Sequence, residues 1–155
     1  MKWRNFLSTG NQFTEIQLDR NNTTLIIGEN GAGKSTILDA LCFGLFGKPF
    51  RSINKAQLIN TVNGGSCEVE VGFKIGTKTF KVIRGIKPNT FEIYINDKMY
   101  NQDANSRDYQ KYLEQQILKL NYRSFTQVVI LGSSTFIPFM PVSYTHLTLP
   151  TTPYV

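Results

Sequence analysis

Residues 23–36 read TTLIIGENGAGKST, and this stretch decides the fold. Residues 23–27 are rich in β-branched side chains and predict a short strand buried on both faces. A glycine-rich loop follows at residues 28–33. The run after the loop predicts an amphipathic helix, and a glycine and a proline further on favour its end. The apolar stripe predicted for this helix consists of Ile37, Leu38, Leu41, Cys42, Leu45 and Phe46.

The loop and the start of the helix match the pattern G-x-x-x-x-G-K-[ST] at every required position. Glycines permit backbone conformations that turn successive N–H groups toward phosphate oxygens, and the start of the helix adds its positive dipole end. Lys34 supplies a charge for the β- and γ-phosphates, Ser35 supplies a hydroxyl for Mg²⁺, and Thr36 can reach the α-phosphate. The motif therefore predicts an ATP-Mg²⁺ site, with Ser35 as the metal ligand. The predicted ATP-binding residues are Gly28, Asn30, Gly31, Ala32, Gly33, Lys34, Ser35 and Thr36.

Downstream of the helix, the sequence alternates between apolar and polar residues. Segments Cys67–Ile75, Lys78–Ile86 and 90–96 therefore predict an antiparallel β arm, at about residues 66–100, with one solvated face. Residues 106–120 return to helical spacing, with an apolar stripe that consists of Tyr109, Tyr112, Leu113, Ile117 and Leu120. The fold class predicted from this order is α/β. Shorter strands are predicted at residues 3–8, 14–19 and 128–131.

Length and composition are those of one ordinary globular domain. The chain has 155 residues, of which 41% are hydrophobic and 18% charged. No apolar stretch approaches the roughly 20 residues of a membrane span, and no signal-peptide core follows the N-terminus. Cys42 and Cys67 lack metal-ligand spacing, and Cys42 lies in an apolar helical run that predicts a buried free thiol. These features predict a cytoplasmic protein that has no membrane partner.

The charge is basic, with 17 Lys and Arg residues against 11 Asp and Glu residues and a net charge of +6. This balance indicates a polyanionic partner, either ATP or nucleic acid, or else a chain whose acidic part is missing. Lys78, Lys81, Arg84 and Lys87 lie on or beside the arm and are candidates for contacts with DNA phosphates. The alternative for these four residues is a solvated strand face.

The order of elements resembles ABC-type ATPase heads, which place two strands before the loop and a β-rich arm after the helix. Nucleotide kinases and GTPases usually continue into parallel βα units instead. The runs RNFLS at residues 4–8 and LIIGENGAGKSTILDAL at residues 25–41 look like the N-terminal lobe of the SMC-like break-repair ATPases of the SbcC type. Further runs resemble one branch, the ATPase subunits of T-even-like phage recombination endonucleases. They are FGLFGKPFR at residues 43–51, QLIN at 57–60, RGIKPN at 84–89, SF at 124–125 and PFM at 138–140.

This resemblance implies an ATPase head that pairs with a nuclease subunit, forms a homodimer with a second head around ATP, and processes DNA ends. It places Arg51 where family heads approach the adenine, as a candidate contact at the edge of the nucleotide. The family's signature segment, coiled coil and acidic strand end lie C-terminal to this region, so the resemblance implies nucleotide binding without the groups for hydrolysis. The glutamine that many heads carry in a late loop aligns with Ser133, and Gln127 lies too early to replace it.

Two other functions remain open from the sequence. A nucleotide kinase would need a lid with arginines and an acceptor pocket, and neither is recognisable. A non-catalytic ATP-dependent DNA clamp would differ by having no nuclease subunit.

The last residues have an unusual composition, since four of the six prolines fall within residues 138–153. Residues 142–151 read VSYTHLTLPT, which is the translation of GTC TCT TAT ACA CAT CTG ACG CTG CCG ACG, a common transposon-derived sequencing adapter. We therefore predict an N-terminal lobe at residues 1–140 and a non-native read-through at residues 141–155. The coding DNA of this segment tests the prediction.

Overall fold

The computed structural model describes residues 1–100 and 106–130 and divides the chain into two compact units, Met1–Asn121 and Tyr122–Val155. The first unit contains a six-stranded antiparallel sheet in the order β2-β1-β3-β4-β5-β6. Its strands are β1 (Lys2–Arg4), β2 (Thr14–Glu15), β3 (Cys67–Ile75), β4 (Lys78–Ile86), β5 (Thr90–Ile95) and β6 (Lys98–Met99). The helices are α1 (Lys34–Phe46), α2 (Ser106–Tyr112) and, in the second unit, α3 (Tyr122–Val128), and a 3₁₀ turn spans Lys55–Leu58.

The predicted β arm is confirmed. Strand β3 pairs with β4 along its whole length, from Cys67 opposite Ile86 to Ile75 opposite Lys78, and β5 continues the sheet on the other side of β4. The two faces alternate as the sequence predicts, because successive side chains of a strand point to opposite sides. Val69, Val82 and Ile93 are fully buried on the inner face.

Both helices of the first unit pack on this inner face. Helix α1 approaches β3 so closely that a Cβ atom on Gly44 would lie 2.6 Å from a methyl group of Val71. The predicted helix over residues 106–120 is observed as α2 followed by a π-helical stretch, Leu113–Leu118. Its apolar stripe is confirmed at three positions, Tyr109, Leu113 and Ile117, which join the core formed by Phe80, Val82 and Ile93.

The stripe predicted for helix α1 is confirmed in part: Cys42, Leu45 and Phe46 are buried, but the helix also buries residues outside the stripe. Ala40, Phe43 and Gly44 are buried, together with the polar Thr36 and Asp39, whereas Ile37, Leu38 and Leu41 are only half-buried. The helix contacts β3 and β4 through small residues, and Asp39 has its own partners in the protein. The predicted burial of Cys42 is confirmed.

The shorter strands differ from their predictions. The segments predicted at residues 3–8 and 14–19 shrink to β1 and β2, because the chain turns at Asn5 and Leu7, both of which have left-handed φ angles. The strand predicted at residues 128–131 is wrong at the described positions, since Val128 ends helix α3 and Val129 lies in the turn that follows.

The strand predicted at residues 23–27 is also absent from the described structure. These five residues are exposed and belong to no sheet, with Leu25 81% and Ile27 83% accessible. All six strands of the sheet consist of residues outside 23–27, and none of these strands pairs with this segment. The segment is apolar, as the prediction required. It forms no strand because a strand buried on both faces needs neighbouring strands on its two sides.

The prediction for residues 141–155, and the assignment of Ser133, fall outside the described residues. Within the described part of the chain, no helix is long and apolar enough to cross a membrane.

Candidate functional site

The loop before α1 has the backbone conformation that its glycines allow. Gly31 and Gly33 both have φ of 85°, in the left-handed region that disfavours residues with a Cβ atom. Gly33 immediately precedes the helix, and Ala32 N–H donates to Glu29 O to close the turn. Helix α1 begins at Lys34, so the N–H groups of Lys34 and Ser35 precede any intrahelical acceptor, whereas Thr36 N–H donates to Gly33 O at 3.0 Å. The loop therefore presents a positive helix end to an anion.

Lys34 lies across this loop. Its ammonium donates to the main-chain oxygen atoms of Gly28 and Glu29, the latter at 2.6 Å. These two carbonyls hold the cation at the rim of the loop, from which it can exchange a carbonyl for a phosphate oxygen without any change in the core.

A cavity of about 410 Å³ opens beside the loop. It gathers six of the eight predicted ATP-binding residues and the predicted edge residue Arg51, whereas Gly28 and Ala32 belong to the loop without lining the cavity. Among the described residues, the lining includes two cationic side chains, Lys34 and Arg51, and no Asp or Glu. Such a lining favours a polyanionic ligand. The lining consists of Leu7, Ser8, Asn30, Gly31, Gly33, Lys34, Ser35, Thr36 and Arg51.

One wall of the cavity, formed by Leu7 and Ser8, was not predicted from the sequence as part of a site. A network of three asparagines holds it in place. Asn60 donates from Nδ2 to Leu7 O and Thr9 O, both at 3.1 Å. Asn5 is 2% exposed and accepts a 2.7 Å hydrogen bond from Asn63 Nδ2. The run RNFLS and the run QLIN are thus parts of one structure, joined by side-chain amides that satisfy buried main-chain groups.

Arg51 is positioned by a residue that the sequence did not single out. Its Nε atom lies 2.5 Å from Oδ2 of Asp39, and its main-chain N–H donates to Oδ1 of Asp39 at 2.9 Å. Asp39 lies on α1 and is 1% exposed. The helix that follows the glycine-rich loop thus also anchors Arg51, the second cation of the cavity lining.

The four basic residues proposed for DNA do not form one surface. Lys78 and Lys87 are exposed and Lys81 is half-buried, but Arg84 points to the inner face of the sheet and is only 9% exposed. Arg84 is therefore withdrawn as a candidate for DNA phosphates. Strand alternation alone places Lys81 and Arg84 on opposite faces.

Arg84 instead joins the two helices of the first unit. Its Nε donates to Gly44 O at 3.1 Å, its Nη2 donates to Gln110 Oε1 at 2.7 Å, and its guanidinium lies 3.7 Å from the ring centre of Phe91. Burial lowers the pKa of Arg84 to about 10. The side chain therefore connects α1, the arm and α2 inside the core.

The two cysteines are free and buried. Burial raises the pKa of Cys42 to about 12, with a smaller contribution from the charge of Asp39. Burial likewise raises the pKa of Cys67 to about 12. Among the described residues, no three His, Cys, Asp or Glu side chains are grouped to hold a metal ion. At the loop the donor available to a metal is the hydroxyl of Ser35, so phosphate oxygens and water would have to complete its coordination.

Comparison with known proteins agrees with this geometry. A family model described as an AAA domain matches residues 1–141. Exonuclease subunit 2 of Enterobacteria phage T4 is 46% identical over 143 residues, which are 92% of this chain and 25% of that protein. The subunit of Escherichia phage RB69 is 43% identical with the same coverage. A DNA double-strand break repair Rad50 ATPase of Sulfolobus acidocaldarius is 34% identical over 86 residues, or 56% of this chain and 9% of that protein.

These relatives confirm the predicted resemblance to phage subunits and to break-repair ATPases. The chain spans about a quarter of the length of the phage proteins that it matches. The family match includes the loop, helix α1, the arm and α2. The chain therefore belongs to the AAA domain family.

Proposed function

We propose that this chain binds ATP with Mg²⁺ in the cavity beside the glycine-rich loop. The observation that carries the proposal is the lining of the cavity, which among the described residues includes Lys34 and Arg51 but no Asp or Glu, together with the left-handed conformations of the loop glycines. The Rad50 relative supports it, since that protein is named as an ATPase.

Each residue has a role that its position allows. Lys34 would leave the carbonyl of Glu29 and bind the β- and γ-phosphates, and the loop N–H groups would bind oxygens of the same groups. Thr36 is 4% exposed and lines the cavity, and the motif predicts that it lies next to the α-phosphate. Ser35 would ligate Mg²⁺, which supplies charge neutralisation between the phosphates when bound. Arg51, which also lines the cavity, would contact the nucleotide.

The test is a titration with a fluorescent ATP analogue and Mg²⁺. Lys34→Ala should weaken binding roughly 10- to 100-fold, because one charge-assisted hydrogen bond contributes about 1.5–3 kcal/mol. Lys98→Ala removes the same charge from an exposed strand and should leave the affinity unchanged. Equal affinity for native and Lys34→Ala protein would overturn the proposal.

We further propose that the chain is the N-terminal lobe of an ABC-type ATPase head. The exposed apolar segment at residues 23–27 supports this, as does the fourfold greater length of the phage relatives. Strands from the remainder of a longer protein would cover Leu25 and Ile27. Hydrogen exchange is the measurement: the amides of residues 24–27 should exchange freely in this chain and be protected in the full-length protein. Free exchange in both would contradict the assignment.

At the level of the whole protein, we propose an ATPase that works with a nuclease subunit on DNA ends and forms a dimer of heads around ATP. The name of the phage relatives, exonuclease subunit 2, supports a nuclease partner. Stimulation of ATP hydrolysis by DNA and by a co-purifying nuclease would support this function. Phosphorylation of a small acceptor would favour a nucleotide kinase, and the absence of a nuclease partner would favour a DNA clamp.

Lys78, Lys81 and Lys87 remain proposed DNA contacts. Strand β4 spans nine residues, so the two ends of this set are about 30 Å apart along it. Lys81 shares its face with Glu70 and Glu92, whose charges oppose DNA binding. Replacing a lysine that contacts a phosphate by Ala should reduce the slope of log DNA affinity against log salt concentration by about one.

A further inference from the structure

Asp39 is a buried carboxylate on the helix that begins at the phosphate loop. It is 1% exposed and lies five residues after Lys34, or about 7.5 Å further along the helix axis. Burying a carboxylate is costly unless charge and hydrogen bonds compensate for the lost water. Both oxygens of Asp39 are used, and both partners belong to Arg51.

The two contacts fix different parts of Arg51. The bond from the main-chain N–H fixes the backbone of the connection between α1 and the 3₁₀ turn. The bond from Nε fixes the guanidinium, a rigid planar group whose orientation follows from any one of its N–H donors. The side chain of Arg51 remains 44% exposed and lines the cavity. Among described residues, the structure records no hydrogen bond from its terminal nitrogens, Nη1 and Nη2.

We infer that Asp39 is a positioning residue for nucleotide binding. It holds Arg51 so that the terminal N–H groups of the guanidinium are available to an anionic phosphate group in the cavity. This inference rests on the proposed ATP site and extends it to a residue that does not line the cavity. Because Lys34 and Asp39 lie on one helix, the two cations of the site keep a fixed separation.

The experiment is a double-mutant cycle on affinity for ATP-Mg²⁺, using this chain with the substitutions Asp39→Asn and Arg51→Ala. Asparagine keeps the size of the side chain and one acceptor oxygen but loses the charge and the second acceptor. Each single variant should bind ATP roughly tenfold more weakly, as expected for the loss of one good contact to phosphate. The double variant should bind no more weakly than Arg51→Ala alone.

A role of Asp39 in the stability of α1 alone would give a different result. The losses would then multiply, so that the double variant would bind roughly 100-fold more weakly, and this outcome would overturn the inference. If Asp39→Asn fails to fold, the ATP affinity of Arg51→Ala decides whether the inference holds. The Arg51 side chain is partly exposed, so its removal does not open the core. Native ATP affinity in Arg51→Ala would overturn the inference.

A second measurement needs no nucleotide. Phenylglyoxal modification of Arg51, read by mass spectrometry, should be several-fold faster in Asp39→Asn than in the native chain, because the carboxylate no longer holds Nε. An unchanged rate would contradict the positioning role. If the native chain binds no ATP, the proposed function fails and this inference fails with it. If ATP binds and the cycle shows no coupling, only the inference fails.

Discussion

Two apolar segments of this chain differ in their burial. In the β arm, Val82 and Ile93 are fully buried. In residues 23–27, Leu25 and Ile27 are more than 80% exposed, although the segment is just as apolar and β-branched. The difference is in the available partners. Each arm strand has a neighbour joined to it by a short turn, whereas residues 23–27 have no strand beside them in the described structure.

The comparison shows that a local sequence pattern predicts a buried strand correctly only when the strand that pairs with it is close in the sequence. Antiparallel strands linked by turns of two or three residues pair within one stretch of sequence. A strand buried on both faces must recruit neighbours from distant parts of a chain. The loop after residues 23–27 nevertheless keeps its conformation, because two glycines and the helix start determine it.

The largest expected effect separates the two segments directly. Ile93→Ala should reduce the free energy of unfolding by about 3–4 kcal/mol, because it opens a cavity in a closed core. Ile27→Ala makes the same chemical change at an exposed position and should alter stability by about 0.5 kcal/mol or less. Urea denaturation followed by circular dichroism measures both. Similar losses for the two variants would show that residues 23–27 are buried in solution.

A smaller effect is expected at the wall of the cavity. Asn60→Ala would leave the carbonyls of Leu7 and Thr9 without their donor and should cost about 2–3 kcal/mol. It should also weaken ATP binding, since the wall moves. Asn22→Ala, in an exposed stretch, serves as the control. Thermal unfolding and the fluorescent titration give the two readouts, and a stable variant with a normal site would contradict the role of the network.

The contact between helix α1 and the β arm can be tested at Gly44. Gly44→Ala should destabilise the fold by about 2 kcal/mol, because the new methyl group would clash with Val71. Val71→Ala in the same chain should recover part of the loss. Gly10→Ala is the matched control, since nothing lies within 4 Å of a Cβ atom there. Unfolding in urea shows whether the close contact exists.

The smallest effect concerns the two thiols, one in α1 and one at the start of β3. Burial raises the pKa of both to about 12, so the folded state keeps protons that the unfolded chain releases above about pH 9. The folded state then binds more protons, and stability should fall as the pH rises from about 9 to 12. Replacing Cys42 and Cys67 by Ala should make this decline shallower. An identical decline in the variant would show that the thiols are not buried.

Much of the fold was predictable because the relevant signals are periodic and local. The alternation in β3, β4 and β5 assigned Val69 and Val82 to the inner face, and the structure confirms this. The loop glycines and Lys34 were identified by spacing alone. In contrast, the buried face of α1 was predicted only in part. Gly44 packs directly against Val71 of the sheet, yet glycine has no side chain that could give a hydrophobic signal.

The sequence by itself determined the glycine-rich loop and the antiparallel arm, because each depends on residues that are close together in the chain. Only the tertiary structure decided that Arg84 belongs to the core, that Asp39 holds Arg51, and that three asparagines support the wall at Leu7. These contacts join residues separated by 12 to more than 50 positions. A polar side chain looks the same in a sequence whether its partner is water or a distant group in the protein, and only folding brings that partner within hydrogen-bonding distance.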